Sequence, residues 1–134
     1  MPEESGPASG TESFGSTATW PDGVSVTVSA PKPYRPSEYA AGAEGGGEFV
    51  VVDVTLKNGG SEPAEASMVL LRATSGDVES ESVFDSAQDV GGTTARVMPG
   101  KTTKWKAAFS KPGDDLLVTV DWGFSGQPVT FQEG

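Results

Sequence analysis

The 134 residues carry nine Lys and Arg against nineteen Asp and Glu, a net charge of −10, with no Cys and no His. That inventory excludes disulfides, thiolate metal sites, a cysteine nucleophile and imidazole acid–base chemistry. It also makes long-range attraction to nucleic acid or anionic lipid unfavourable, because such ligands need Lys and Arg brought to their phosphates. One domain is expected at this length, and eighteen Gly with ten Pro imply short strands joined by many turns.

Residues 1–13, MPEESGPASGTES, have the Ser/Gly/Pro/Glu composition of a flexible tether, and the fold is expected to occupy residues 14–134. No basic-then-apolar leader opens the sequence, and no apolar run approaches the roughly 20 residues of a membrane span. Phe14, Ala18 and Trp20 supply a first strand before the Pro21-Asp22-Gly23 turn. In GVSVTVSAP, Val24, Val26 and Val28 share one face and Ser25, Thr27 and Ser29 the other, the rhythm of a strand half in a core and half in water. Val50, Val52, Val54 and Leu56 repeat it against Asp53, Thr55 and Lys57. The adjoining Phe49 and Val51 predict burial on both faces near that strand's start.

Met68–Ala73, MVLLRA, is apolar on both faces and short, and the Ser75-Gly76 turn after it favours a buried strand over a helix. Val83, Ala87 and Val90 hint at helical spacing over too short a span to carry an architecture. Thr103, Trp105, Ala107 and Phe109 alternate with Lys104, Lys106 and Ser110, Leu116, Val118, Val120 and Trp122 with Thr119 and Asp121, and Val129 and Phe131 supply a last strand. The pattern predicts an all-β, immunoglobulin-like, antiparallel two-sheet sandwich of seven to eight strands, with Trp105, Phe109, Trp122 and the valines in its core.

The most suggestive region for function is the connection Pro31–Gly47, PKPYRPSEYAAGAEGGG, because long connections in compact domains are often binding loops. Its first half sets Tyr34, Arg35 and Tyr39 among three prolines, the makings of a rigid aromatic contact surface; its second half, from Ala40 on, reads as mobile. These three residues are the candidate ligand-binding set.

The alternating acids Asp77, Glu79 and Glu81, with Asp85 and Asp89, offer oxygens to calcium but lack the spacing and Gly of a calcium loop, so they read as a solvated acidic edge. Lys101, Lys104, Lys106 and Lys111 read as a solvated strand face balanced by nearby acids, with an anion or cell-wall polymer site as the competing reading. Met68 and Met98 are isolated and do not make a copper site, and a glycosidase would need two acids facing across a cleft. No catalytic residue, metal or cofactor is expected.

GVSVTVSAP from Gly23, VVVDVTLKN from Val50 and PGKTTKWKAAF from Pro99 to Phe109 resemble the domain-of-unknown-function lipoprotein family of actinobacteria and firmicutes, which is similar in fold to an immunoprotective secreted mycobacterial antigen. The resemblance covers the chain from about Phe14 onward. It implies an exported immunoglobulin-like sandwich, commonly tethered by an acylated Cys ahead of such a linker, and it carries over no catalytic residue. The Cys itself is not in this sequence. The expectation is a non-enzymatic extracytoplasmic binding module, secreted or lipid-anchored and monomeric, for a protein or cell-envelope ligand. A carbohydrate-binding or calcium-dependent adhesion domain is the alternative, and it requires Trp20, Tyr34 and Tyr39 to face solvent in a row or acids to converge.

Overall fold

A computed structural model describes residues 10–20, 22–42, 47–93, 95–113, 115–122 and 128–132. Alternating side chains build two sheets. The first has the order β1 (Gly10–Ser13), β13 (Val129–Gln132), β12 (Leu117–Trp122), β7 (Val69–Ser75), β8 (Val78–Glu79). The second runs β2 (Thr17–Thr19), β3 (Val24–Val28), β5 (Phe49–Asn58), β11 (Thr102–Ser110), β9 (Ser82–Val83), with β4 (Lys32–Tyr34) also on β5. A small ribbon pairs β6 (Ala64–Glu65) with β10 (Arg96–Val97), and two 3-10 turns span Ala66–Met68 and Ser86–Gln88.

The inner faces of both sheets meet in one core. Val26, Val28, Val52, Val54 and Leu56 of the second sheet face Val118, Val120, Val129 and Phe131 of the first, and all of these are almost wholly shielded from solvent. Each such side chain contributes roughly 1.5–3 kcal/mol of apolar transfer free energy, which is how the sandwich holds without disulfides. Phe109, Trp122 and Trp20 belong to the same core.

Four sequence expectations are revised. Gly10–Ser13, assigned to the tether, is strand β1, and it pairs parallel with β13 (Gly10↔Val129, Glu12↔Phe131), so the sheets are not wholly antiparallel. The remaining tether residues, 1–9, lie outside the described residues. Trp105 is half-buried rather than central. It projects inward from β11 where β9 pairs only with Ala108 and Phe109, so the sheet ends beside its ring. Leu70, expected to be buried in MVLLRA, is 61% exposed, because β7 turns it to the outer side of the first sheet.

The connection 31–47 is not wholly irregular either. Its first residues are β4, in register with β5 (Lys32↔Val51, Tyr34↔Phe49). Pro33 is tolerated there because β4 lies at an edge, where the missing amide is not needed by a further strand. Directly paired residues point to the same side of a sheet. Phe49 and Val51 therefore face outward with Tyr34, and a second small core of Phe49, Val83, Val90 and Ala108 forms on the outer side of the second sheet. This explains the burial on both faces read from the start of β5.

Two polar side chains fasten one end of the sandwich, where the turns 22–24 and 58–60 meet. Asn58, fully buried, donates Nδ2–H to the carbonyl oxygens of Glu62 (2.7 Å) and Val97 (2.8 Å) and accepts the Gly60 amide on Oδ1 (2.9 Å). Trp122 donates its indole N–H to Asp22 Oδ2 (2.7 Å), and Asp22 Oδ1 accepts the Val24 amide (3.1 Å).

Candidate functional site

The second core carries a polar knot centred on Asp85. Its carboxylate accepts Tyr34 Oη–H (2.6 Å), the Ser37 amide (2.7 Å) and Gln88 Nε2–H (2.8 Å) on Oδ2, and Ser37 Oγ–H (2.6 Å) on Oδ1. Gln88 Nε2 also donates to Tyr34 Oη (3.1 Å) and to the Arg35 carbonyl (3.0 Å). Four donors thus close on one fully buried carboxylate and pull residues 34–37 onto the segment 85–88.

The local sequence prepares both halves. Pro31, Pro33 and Pro36 restrict the backbone around Tyr34. The Tyr39 amide donates to Ser37 Oγ (3.2 Å), the Ala40 amide to the Ser37 carbonyl (3.1 Å), and Ala41 exchanges amide–carbonyl bonds with Phe84 (2.7 and 2.8 Å). On the other side, Asp85 and Val90 exchange backbone bonds of 2.9 and 3.0 Å across the 3-10 turn, which Asp89 closes in a left-handed conformation at φ 58°. Gly42 allows the close approach of the two halves: at φ 90°, an added Cβ would overlap the Ser82 carbonyl oxygen.

The electrostatics follow from the geometry. Burial opposes the charge on Asp85. The hydrogen bonds from the Ser37 hydroxyl and amide, from Tyr34 and from Gln88 outweigh it and hold the carboxyl well below the usual carboxylate range. Burial pushes the Tyr34 phenol up to about 12, reinforced by its hydrogen bond to Asp85 and by that residue's charge. The carboxylate is ionised with both oxygens occupied, so it cannot take a substrate proton without unfastening the loop.

Tyr34 and Arg35 line an open groove of about 480 Å³ with Pro31, Pro36 and Glu48. Tyr39 stands outside it and is 77% exposed. The three candidate residues therefore share a loop but not one pocket: Tyr34 is half-buried as a fastening, Arg35 is exposed at the groove, and Tyr39 projects alone. Residues 43–46 of the expected mobile half lie outside the described residues.

Asp85, Ser37 and Gln88 are the residues the sequence reading missed. The sequence places Asp85 in a solvated acidic edge, and its complete burial corrects that expectation. The available signal was its place two residues after Val83, on the buried side of the same alternation. Asp77 lies in a turn with positive φ and Glu79 on β8, while Asp89 closes the same 3-10 turn as Asp85 but is exposed. Among the described residues no three acids converge on a point that could hold a metal ion. Trp20 is 2% exposed, so Trp20, Tyr34 and Tyr39 form no aromatic row. Lys106 binds Asp53 (3.0 Å), as the balanced-face reading expects.

No protein-family model and no curated protein matches the chain. Solved structures do. The yjhA protein of Bacillus subtilis aligns at 13% identity with a TM-score of 0.68, over 90% of this chain and 99% of its own. A secreted Mycobacterium tuberculosis protein, MPT63, aligns at 17% identity and TM-score 0.64, over 96% of this chain and 99% of its own. The "putative lipoprotein" ycdA of Bacillus subtilis aligns at 18% identity and TM-score 0.63, over 90% of this chain but 38% of its own length. The resemblance read from the strand motifs reappears in three dimensions: the chain has the β-sandwich fold of these bacterial proteins.

Proposed function

We propose that this domain is a non-enzymatic extracytoplasmic interaction module, secreted or lipid-anchored, that meets a protein or cell-envelope ligand with its Tyr34–Tyr39 loop. The observation that carries the reading is the Asp85 knot. It uses a buried, fully bonded carboxylate to fix a loop that leaves Arg35 and Tyr39 in solvent, and a pre-ordered loop binds without the entropic cost of being ordered by its ligand. Export is supported by the strand motifs and by the names of the structural neighbours, one secreted and one described as a lipoprotein. The burial of Trp20, which breaks any aromatic row with Tyr34 and Tyr39, favours this reading over a carbohydrate-binding domain, and the lack of three converging acids among the described residues favours it over a calcium-dependent adhesion domain.

The test has two arms. Fractionation of the producing cells is expected to place the protein in the envelope or the medium, and a cytosolic pool alone would overturn the location. Retention of the purified domain on envelope material is expected to fall at least tenfold in Tyr39→Ala and Arg35→Ala. Undiminished retention of both variants would remove the loop from the reading.

A further inference from the structure

We propose that the open part of the outer side of the second sheet binds a linear, phosphodiester-linked polyol, with a lysine in each of four successive rows: Lys57, Lys104 and Lys32 meet the polymer's charges and Lys106 neutralises the one acid among them. The rows are fixed by register. Thr19, Ser25, Lys57 and Thr102 lie across one row, and Thr17, Thr27, Thr55 and Lys104 across the next. Asp53 and Lys106 make the third, and Lys32 beside Val51 the fourth, where the second core begins. Same-side residues recur every two positions, roughly 7 Å along a strand, so the four lysines span about 20 Å in single steps.

Charge separates sharply on this molecule. The chain has nine cations and nineteen acids. Yet among the described residues the register places four cations and one acid on these rows, and that acid, Asp53, is neutralised by Lys106. Asp89 stands at the rim, sharing an open groove of about 550 Å³ with Lys104 and Lys106. Lys32, Lys57 and Lys104 are exposed, and Lys106 is half-exposed even in its ion pair. At physiological ionic strength, acids farther than about 8 Å are largely screened, so the local sign of the face governs contact.

The spacing and the companions of the lysines select the ligand. Separate cations in a ladder suit a chain of repeating charges rather than one small anion. Hydroxyls fill the positions between them, and pairs such as Thr17–Thr27 (2.7 Å) and Thr19–Ser25 (2.9 Å) keep capacity for further hydrogen bonds to a polyol. No aromatic side chain projects from these rows among the described residues, and Trp105, which also lines the groove of Lys104 and Lys106, is half-buried against the inner core, whereas binders of single-stranded nucleic acid stack bases on open aromatic rings. This surface uses none of Tyr34, Arg35 and Tyr39, so failure of either proposal leaves the other standing.

The probe is synthetic poly(glycerol phosphate) of about a dozen units, immobilised, with the full chain in about 0.1 M salt so that contact pairs outlast remote repulsion. Wild type is expected to bind, and Lys57→Glu/Lys104→Glu to bind at least tenfold more weakly with an unchanged melting temperature. Arg72→Glu, an exposed charge on β7 of the other sheet, is expected to bind like wild type. No binding by wild type, or equal binding by the double variant, would overturn the proposal. Equal binding of a single-stranded oligonucleotide of the same charge would overturn the choice of a polyol.

Discussion

Tyr34 and Asp85 are 51 positions apart in the chain, and the phenol of one donates a 2.6 Å hydrogen bond to the buried carboxylate of the other. That bond joins β4 to the 3-10 turn and sets the pH limits of the loop. Tyr34's folded pKa, pushed up to about 12, lies above the value near 10 of a free phenol. Its contribution to stability is therefore complete below about pH 10 and is lost as pH rises through 12. Asp85 has the opposite sign: its lowered pKa contributes stability above about pH 4, lost as pH falls further. Thermal unfolding across pH is expected to show a steeper loss between pH 10 and 12 in wild type than in Tyr34→Phe. Phenolate absorbance of Tyr39→Phe, which leaves Tyr34 as the sole tyrosine, is expected to report a midpoint near 12. A midpoint near 10 would mean that the phenol is not held by Asp85.

Asn58→Ala is expected to destabilise the sandwich by about 2 kcal/mol in urea unfolding, because it strands the buried Val97 carbonyl and removes the part-buried bonds to the Glu62 carbonyl and from the Gly60 amide. A change under about 0.5 kcal/mol would show that water replaces those bonds freely.

Two leucines separate core from surface. Leu56 is fully buried and Leu70 is 61% exposed. Leu56→Ala is expected to cost about 3 kcal/mol and Leu70→Ala to stay within about 0.5 kcal/mol, measured by the same unfolding midpoint. Similar costs at both positions would place Leu70 in a packed interface.

Asp22→Ala removes the acceptor of the Trp122 indole N–H and of the Val24 amide. Because Asp22 is exposed, the expected cost is modest, about 1 kcal/mol, accompanied by a shift in tryptophan fluorescence. An unaltered spectrum and midpoint would show that the bond is not kept in solution.

Alternation made most of the fold legible. Val24, Val26 and Val28, then Val52, Val54 and Leu56, announce which face is buried, and each of them is. What alternation does not report is position across a sheet. Trp105 points inward as its spacing requires, yet it sits where its sheet gives out, so it is only half-covered. Leu70 fails for the complementary reason: apolar character on both sides of β7 does not supply a second layer to cover it. The loop was legible as a candidate through its prolines and tyrosines. Its organising residue was not, because Ser37, Gln88 and Tyr34 become partners of Asp85 only when the 85–90 turn folds over the outer side of β5.

Amide hydrogen exchange at Ser37 tests the latched loop most directly, since its N–H ends on Asp85 and on no strand. Wild type is expected to protect this amide strongly, and Asp85→Asn to release it while Val52 and Val54 stay protected in the core sheet. Exchange of Ser37 at the rate of an open chain in the wild-type protein would contradict a pre-ordered binding loop.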